Sequence, residues 1–322
     1  MWKREREHLM ENAILTPTNA NSAAVPVRNT SKFSSLPHIL LPYLLVAPAM
    51  VVLFVFLLYP IGYMVYLSFF NWNMIRPMEF VGLQNFTNMF QNPEFIQTLL
   101  NTLQYTVFTL LFGMGLAILA TLFLKENTRL NHFLQATIFL PYVMPLVSVT
   151  FIFLWLMDTN YGLFNFILQA LHLPAIDWLG STSAAMPSLI LVSIWKSVGY
   201  NTLIILSAMQ AVPQYLYEAA RLDQASGRRI FFRITLPMIS PSLFFLTLMN
   251  LIACFKVFET VNLMTAGGPV NATTTLVYSI YQYGFRFYKL GYASAEGIVL
   301  MIIIGICTLL YFGALSRRVY YR

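Results

Sequence analysis

Two lysines and one glutamate lie inside otherwise apolar segments, where ionisable side chains are rare and costly: Lys196, Lys256 and Glu259. In a membrane, such residues often line the path of a polar solute. Amide and aromatic side chains of the same segments could hydrogen-bond a solute's hydroxyls and stack on its rings: Asn201, Asn250, Phe255, Phe258 and Asn262. Together these residues form the predicted solute pathway.

A purely structural explanation of the same charges stays open. Lys256 and Glu259 are three residues apart, so on one helix they would share a face and partly neutralise each other. Lys196 could extend to the headgroups or pair with another protein. Glu296 could lie at the outer headgroups. The spacing by itself does not choose between the two interpretations.

Residue patterns for catalysis or metal binding are missing from the sequence. It contains no Gly-Lys-Ser or Gly-Lys-Thr, so no P-loop is expected. Its four histidines are scattered, and Cys254 and Cys307 lie in apolar stretches without metal-ligand spacing. We therefore expect neither enzymatic activity nor a metal or cofactor bound by this chain.

The composition is that of an integral membrane protein. Hydrophobic residues make up 58% of the 322 residues, charged residues only 10%, and the mean hydropathy is +0.67. Soluble domains carry about 25% charged residues, so a soluble enzyme, a disordered protein and a disulfide-rich secreted domain are excluded. The net charge of +7 is explained by its placement, described next, rather than by nucleic-acid binding.

Six apolar stretches are long enough to cross a bilayer, which needs about 20 residues. They cover 39–70, 96–124, 133–157, 187–211, 241–264 and 292–316. Of the 17 basic residues outside them, 14 fall on one side of this arrangement and only Arg76, Arg286 and Lys289 on the other. Because basic residues concentrate in cytoplasmic connections, the prediction is an all-α protein with six transmembrane helices and both termini in the cytoplasm.

Two domains are predicted on this basis. Residues 1–38 are polar and are expected to form a flexible cytoplasmic tail, and residues 39–322 form the six-helix membrane domain. The outer connections are too small for a solute-capturing domain. If a dilute solute is captured outside the cell, another protein is expected to capture it.

The cytoplasmic segment 212–240 is more regular than a simple connector. Pro213 suits a first helical position, good helix formers follow it, and Gly227 is expected to end that helix. The segment either lies on the headgroups or forms a docking helix, in which Ala219 and Ala220 beside Glu218 let another protein approach closely.

This segment resembles a cytoplasmic motif of the membrane-spanning subunits of bacterial ABC importers. The motif is Glu-Ala-Ala, three residues, Gly, nine residues, and Ile-x-Leu-Pro. Here it corresponds to Glu218, Ala219 and Ala220, then Ile234, Leu236 and Pro237, with Gln224 in place of the glycine. Residues 80–86 and the Gly-Gly-Pro segment 267–276 resemble the carbohydrate-uptake branch, the maltose-type and glycerol-3-phosphate-type permeases.

The resemblance implies a type I ABC importer transmembrane fold in the bacterial plasma membrane. It implies a second homologous permease, two copies of a cytoplasmic subunit that binds ATP and Mg, an extracytoplasmic solute-binding protein, and a sugar or oligosaccharide as cargo. The residues expected to couple to the ATPase are Glu218, Ala219, Ala220, Leu222, Asp223, Gln224, Gly227, Ile234, Leu236 and Pro237. In maltose-type importers the sugar contacts come from the span before Gly-Gly-Pro, which favours Phe255, Lys256, Phe258 and Glu259 here.

There are three alternatives to a permease for a neutral sugar. Lys196 and Lys256 would also suit an anionic sugar derivative such as a uronide or glycerol-3-phosphate. A stand-alone secondary transporter would be expected to show inverted repeats and broken helices at a mid-membrane ion site. A membrane-embedded enzyme would need a convergent acid–base or metal constellation. The sequence shows neither set of features.

Overall fold

The structure is a computed structural model that describes residues 40–315. The predicted tail 1–38 and the last seven residues lie outside this range. The chain divides into two compact units, and Leu58 begins the second, larger one. Helix α1 covers Leu40–Leu53 in the first unit, and the π-helical segment Phe54–Leu58 follows it and ends on the first residue of the second unit.

The second unit is almost entirely helical. Its first half contains α2 (Tyr59–Leu67), α3 (Gln84–Gln91), α4 (Pro93–Leu124), α5 (Arg129–Val143), α6 (Leu146–Leu156), α7 (Leu163–Ala170) and α8 (Ala185–Gln210). Its second half contains α9 (Gln214–Leu222), α10 (Gly227–Ile230), α11 (Leu236–Met238), α12 (Ser240–Phe255), α13 (Glu259–Met264), α14 (Leu276–Tyr281) and α15 (Leu290–Leu315). Two further π-helical segments are Phe231–Thr235 and Gln282–Arg286.

Within the described range, four helices are long and apolar enough to cross a membrane. They are Pro42–Leu67, Pro93–Leu124, Ala185–Gln210 and Leu290–Ala314. Two bent pairs also pass the test together: α5 with α6, bent by 100°, and Gly227–Met238 with α12, bent by 68°. The structure therefore offers four spans, or up to six if each bent pair counts as one.

The predicted third span is broken rather than straight. Pro145 lacks an amide hydrogen and disfavours helical geometry in the residue before it, so α5 ends at Val143. Met144 is extended, with φ −65° and ψ 139°, and α6 begins at Leu146. The break leaves the last carbonyl groups of α5 without partners in their own helix.

The predicted fifth span is also broken, which corrects the expectation that Lys256 and Glu259 share a helix face. Helix α12 ends at Phe255, and α13 begins only at Glu259. Phe258 between them has φ −138° and ψ −59°, which is not helical. The Thr275 hydroxyl donates to the Val257 carbonyl oxygen (3.3 Å), so one freed backbone group of the break is satisfied by the chain that follows.

A two-stranded antiparallel sheet departs from the all-α prediction. Strand β1 is Phe70–Asn71 and strand β2 is Glu79–Phe80, with Phe70 opposite Phe80. The Phe70 and Phe80 rings also contact each other edge to face, with centroids 5.3 Å apart.

Helix α8 packs against both α4 and α5 and organises the larger unit. Gly199 of α8 lies so close to α5 that a Cβ atom there would collide with the backbone carbonyl of Ile138. Three residues further along α8, the Thr202 hydroxyl donates to the Val198 carbonyl within the helix (2.7 Å), and Thr121 of α4 donates to the Thr202 carbonyl (3.2 Å). Small and hydroxyl-bearing residues therefore allow close helix contact here, as is usual in membrane proteins.

Candidate functional site

A cavity of about 400 Å³ lies beside the break between α12 and α13. Side chains of α4, the α5–α6 junction, α8, α12 and the broken segment 256–258 line it. Five of the eight predicted pathway residues are brought together on its wall: Lys196, Asn250, Lys256, Phe258 and Glu259. They come from four parts of the chain, α8, α12, the break 256–258 and the start of α13, which sequence spacing alone does not place side by side.

Lys196 holds the free end of α5. Its ammonium group donates to three backbone carbonyl oxygens: those of Pro141 (3.1 Å), Tyr142 (3.2 Å) and Met144 (2.7 Å). The C-terminal end of a helix carries partial negative charge, so a lysine there is favourable. The charge of Lys196 is therefore largely engaged by the chain itself, although the side chain also borders the cavity.

Lys256 and Glu259 are exposed on the cavity wall and form no ion pair with each other in the described part of the chain. Phe258 lies between them in sequence, and its ring packs edge to face on Tyr281 with centroids 5.1 Å apart. The broken backbone thus presents a cation, an aromatic face and an anion toward one space.

Asn201 supports the cavity without lining it. Its amide exchanges two hydrogen bonds with the amide of Asn250 across α8 and α12, at 2.9 and 3.3 Å, and only 1% of Asn201 is exposed. Asn250 also donates to the Leu246 carbonyl oxygen (2.8 Å). This pair fixes the position of Asn250 on the wall.

Two predicted residues are not on the cavity. Phe255 is 1% exposed and packs in a hydrophobic cluster with Met89, Phe95 and Leu276, because it is the last residue of α12 and points away from the break. Asn262 is half-buried on α13 and does not border the cavity. The buried position of Phe255 contradicts its expected place on the solute pathway, whereas Asn262 stays a prediction that this cavity does not include.

Several polar residues of the wall were not foreseen from sequence: Tyr105, Thr109, Tyr142, Ser193, Ser197 and Thr260. The Tyr105 and Ser193 hydroxyls are hydrogen-bonded to each other at 2.6 Å. The hydroxyl of Thr109 is buried beside that of Tyr105, so hydroxyl groups of two residues of α4 lie together on the wall. The sequence did indicate that Tyr105 and Thr109 lie on one helix face, because they are four residues apart.

The predicted docking helix is α9. Its residues Gln214, Tyr217 and Arg221 border a second cavity. Glu218 and Ala219 do not border it and are exposed, and Leu222 is 85% exposed. Ala220 is 8% exposed, so it packs against its own chain and is not available to a partner, which corrects its expected place in the docking surface.

Helix α9 ends at Leu222, not at Gly227. The Ala225 amide donates to the Ala220 carbonyl (2.9 Å) and the Gln224 amide to the Arg221 carbonyl (3.0 Å). These two bonds form a Schellman C-cap, which requires a left-handed residue, and Gln224 has φ +54°. Gln224 thus adopts the conformation for which the motif uses glycine, while Asp223 is the C-cap residue.

Gly227 instead begins α10. The Ser226 hydroxyl accepts a hydrogen bond from the Arg229 amide (3.4 Å), as expected of an N-cap. The end of the motif follows, with Ile234 in the π-helical segment 231–235 and Leu236 and Pro237 in α11. Thr235 and Tyr217 share a hydroxyl–hydroxyl hydrogen bond (3.2 Å), which ties this joint to α9.

Comparison with known proteins decides the family. Residues 109–321 match the family described as the inner membrane component of binding-protein-dependent transport systems. The chain belongs to this family. It is a multi-pass protein of the bacterial plasma membrane and the permease component of an ABC importer, which confirms the resemblance based on the cytoplasmic motif.

Similar proteins include two curated permeases. The chain is 36% identical to the sulfoquinovosyl glycerol transport system permease protein of Agrobacterium fabrum, over 84% of this chain and 89% of the relative. It is also 36% identical to the sn-glycerol-3-phosphate transport system permease protein of Pectobacterium atrosepticum, over 88% of this chain and 96% of the relative.

Among solved structures, the chain is similar to a subunit of a bacterial alginate ABC transporter in complex with an alginate pentasaccharide-bound periplasmic protein. The TM-score is 0.76 at 26% identity, over 86% of this chain and 94% of that chain. This likeness supports the importer transmembrane fold.

Proposed function

We propose that this permease, together with a second homologous permease, forms the translocation pathway for a sugar or oligosaccharide. An extracytoplasmic solute-binding protein delivers the cargo, and two copies of a cytoplasmic subunit hydrolyse Mg-ATP. The chain crosses the membrane six times with both termini in the cytoplasm. In this arrangement each bent helix pair counts as one span.

The observation that carries the proposal is the make-up of the 400 Å³ cavity. Sugar recognition needs hydroxyl, amide or charged groups that bond to hydroxyls, and aromatic faces against the ring. The wall supplies Asn250, Lys256, Glu259 and the Thr109 hydroxyl as bonding groups. Phe258 and Tyr142 supply aromatic surface. The relatives named for glycerol derivatives and for alginate agree with a polyhydroxylated cargo.

A second candidate, an anionic sugar derivative, is supported by Lys256. Its ammonium group has no hydrogen-bond or ion-pair partner among residues 40–315, whereas the charge of Lys196 is engaged by α5. One relative is named for glycerol-3-phosphate, and a similar structure imports the acidic polysaccharide alginate. A uronide or a sugar phosphate would give Lys256 its missing partner.

Transport assays with Lys256→Gln and Glu259→Gln separate the two candidates. For an anionic cargo, Lys256→Gln removes a charge-assisted bond of about 1.5 to 3 kcal/mol and lowers uptake about 10- to 100-fold. Glu259→Gln then leaves uptake intact or raises it. For a neutral sugar, both variants weaken uptake to a similar extent. If neither variant nor Phe258→Ala changed uptake, the cargo would not use this cavity.

The proposed coupling surface is the outward face of α9, formed by Glu218, Ala219 and Leu222. All three side chains are exposed, and Leu222 is almost fully so. We infer that it inserts into a cleft of the ATPase, so that ATPase closure moves α9. The Tyr217–Thr235 bond would pass this movement to the joint before α12.

Glu218→Lys tests the coupling surface. It should abolish transport and cargo-stimulated ATP hydrolysis while leaving the protein in the membrane. Glu126→Lys is the matched control, since it reverses an exposed carboxylate in the other cytoplasmic connection. Uptake that survived Glu218→Lys would refute the docking role of α9, independently of any result on the cavity.

A further inference from the structure

A third, smaller cavity of about 190 Å³ lies apart from the solute cavity and from the cavity beside α9. It is enclosed by the start of α4, the segment after Gly-Gly-Pro, α14 with the π-helical segment 282–286, and the start of α15. Its wall carries oxygen-bearing side chains, among them Glu94, Asn271, Ser279, Gln282 and Glu296. The family's transport function gives this cavity no role.

Glu296 is the unusual residue of this cavity. It is 0% exposed, yet only one of its carboxylate oxygens is bonded within the described structure. Oε1 accepts a hydrogen bond from the Ser279 hydroxyl (2.9 Å), while Oε2 is buried on the cavity wall without a partner. A buried carboxylate is normally paired with a cation or coordinated to a metal, because an isolated buried charge is very costly.

No side chain of the described residues supplies that cation. The wall contains Glu94 as a second carboxylate and no lysine, arginine or histidine. The two basic side chains of the neighbouring segment turn to aromatic rings instead. Lys289 lies 5.9 Å from the centroid of the Tyr283 ring, and Arg286 lies 5.5 Å from that of Tyr281.

We propose that this cavity binds a hard metal cation, of the alkali or alkaline-earth series, through Glu296 Oε2. Carboxylate, carbonyl and hydroxyl oxygens are the ligands that such cations prefer. The wall offers the Glu94 carboxylate and the amide oxygens of Asn271 and Gln282 for the remaining positions. A space of 190 Å³ also admits water molecules that complete the coordination shell.

The cation would join segments that are distant in sequence. Asn101 of α4 already donates to the backbone carbonyls of Asn271 (2.8 Å) and Thr274 (3.0 Å), and the Thr102 hydroxyl accepts from the Leu276 amide (2.9 Å). A cation between Glu94 and Glu296 would add a fourth link, from α4 across to α15. It would stabilise the Gly-Gly-Pro segment, which leads back to the break beside the solute cavity.

The test is a cation titration of the assembled transporter, purified in detergent. Thermal unfolding is followed with a thiol-reactive dye that reports release of the buried Cys254. Na⁺, K⁺, Mg²⁺ and Ca²⁺ are each titrated against choline at constant ionic strength. For the cation that binds, the midpoint should rise by about 2 °C at ten times its dissociation constant and continue to rise with the logarithm of the concentration above it.

Three variants assign the effect to the cavity. Glu296→Gln keeps the shape of the side chain and should abolish the cation-dependent rise. Glu94→Gln removes the exposed carboxylate of the wall and should raise the apparent dissociation constant of the cation about tenfold or more. This variant tests the site even if Glu296→Gln does not fold. Glu79→Gln, an exposed carboxylate on β2, is the matched control and should respond like the wild type.

Two results would overturn the proposal. Midpoints that are identical in all four cations and in choline would mean that the cavity holds only water or a protonated Glu296. An equal apparent dissociation constant in the wild type, Glu296→Gln and Glu94→Gln would place the cation elsewhere in the transporter.

Discussion

Replacing Lys196 with methionine should destabilise the permease, whereas replacing Lys256 in the same way should not. Both lysines border the solute cavity. Only Lys196 is bonded to the chain, through the carbonyls of Pro141, Tyr142 and Met144 at the open end of α5. Methionine keeps the length and packing of the stem but donates no hydrogen bond.

The size of the effect follows from these three bonds. Two of them are half-buried and the one to Tyr142 is exposed. A hydrogen bond from a charged group contributes about 1.5 to 3 kcal/mol. We take the lower value for the two half-buried bonds and nothing for the exposed one, which gives a loss of about 3 kcal/mol. For 322 residues, an unfolding entropy of about 2.1 cal/mol/K per residue converts this loss into a fall in Tm of about 4 to 5 °C.

Thermal unfolding of the assembled transporter, followed through the thiol of Cys254, measures this difference. Lys196→Met should unfold well below the wild type, and Lys256→Met should stay within about 2 °C of it, since an exposed unpaired lysine contributes little stability. Lys196→Arg, which keeps the donors, should recover part of the loss. Equal Tm values for Lys196→Met and the wild type would refute the capping role and return Lys196 to the candidates for direct cargo contact.

Two further predictions concern backbone geometry, and the same unfolding assay checks both. Gly199→Ala should cost about 1 to 3 kcal/mol through overpacking against the Ile138 carbonyl, whereas Gly115→Ala, with nothing within 4 Å of its added Cβ, should be neutral or stabilising. Gln224→Gly should raise the free energy of unfolding by up to about 1 kcal/mol and keep transport. It removes the side chain from a residue that adopts the left-handed conformation just after the C-cap of α9. A stable Gly199→Ala, or a Gln224→Gly variant that folds less stably, would contradict these assignments.

The motif of the cytoplasmic segment could be recognised from sequence, but its geometry could not. The spacing from Glu218 to Pro237 identified the family, since it is a linear pattern. The end of α9 depends on whether a chain reversal can be stabilised at Gln224 without glycine. The two capping bonds of the Schellman turn decide this, and they exist only in the folded segment.

The solute cavity was foreseen in part for a related reason. Lys196, Lys256 and Glu259 stand out because charges are rare in apolar segments. The predicted backbone around Lys256 and Glu259 was wrong, since 241–264 was expected to form one helix. A break costs backbone hydrogen bonds, and only tertiary contacts such as that from Thr275 to Val257 offset this cost. Phe255 consequently turns into the core rather than to the cavity.

The sequence by itself determined the class of the protein, because composition, long apolar stretches and a spaced motif are properties of the linear chain. Partition into the membrane depends on the transfer free energy of each segment, which is a sum over the residues of that segment. The tertiary structure alone decided which polar groups meet. It assigned Lys196 to the end of α5, paired Asn201 with Asn250, and left one oxygen of Glu296 unpartnered in a cavity. Such contacts join residues up to 174 positions apart, and they depend on how helices pack rather than on any local pattern.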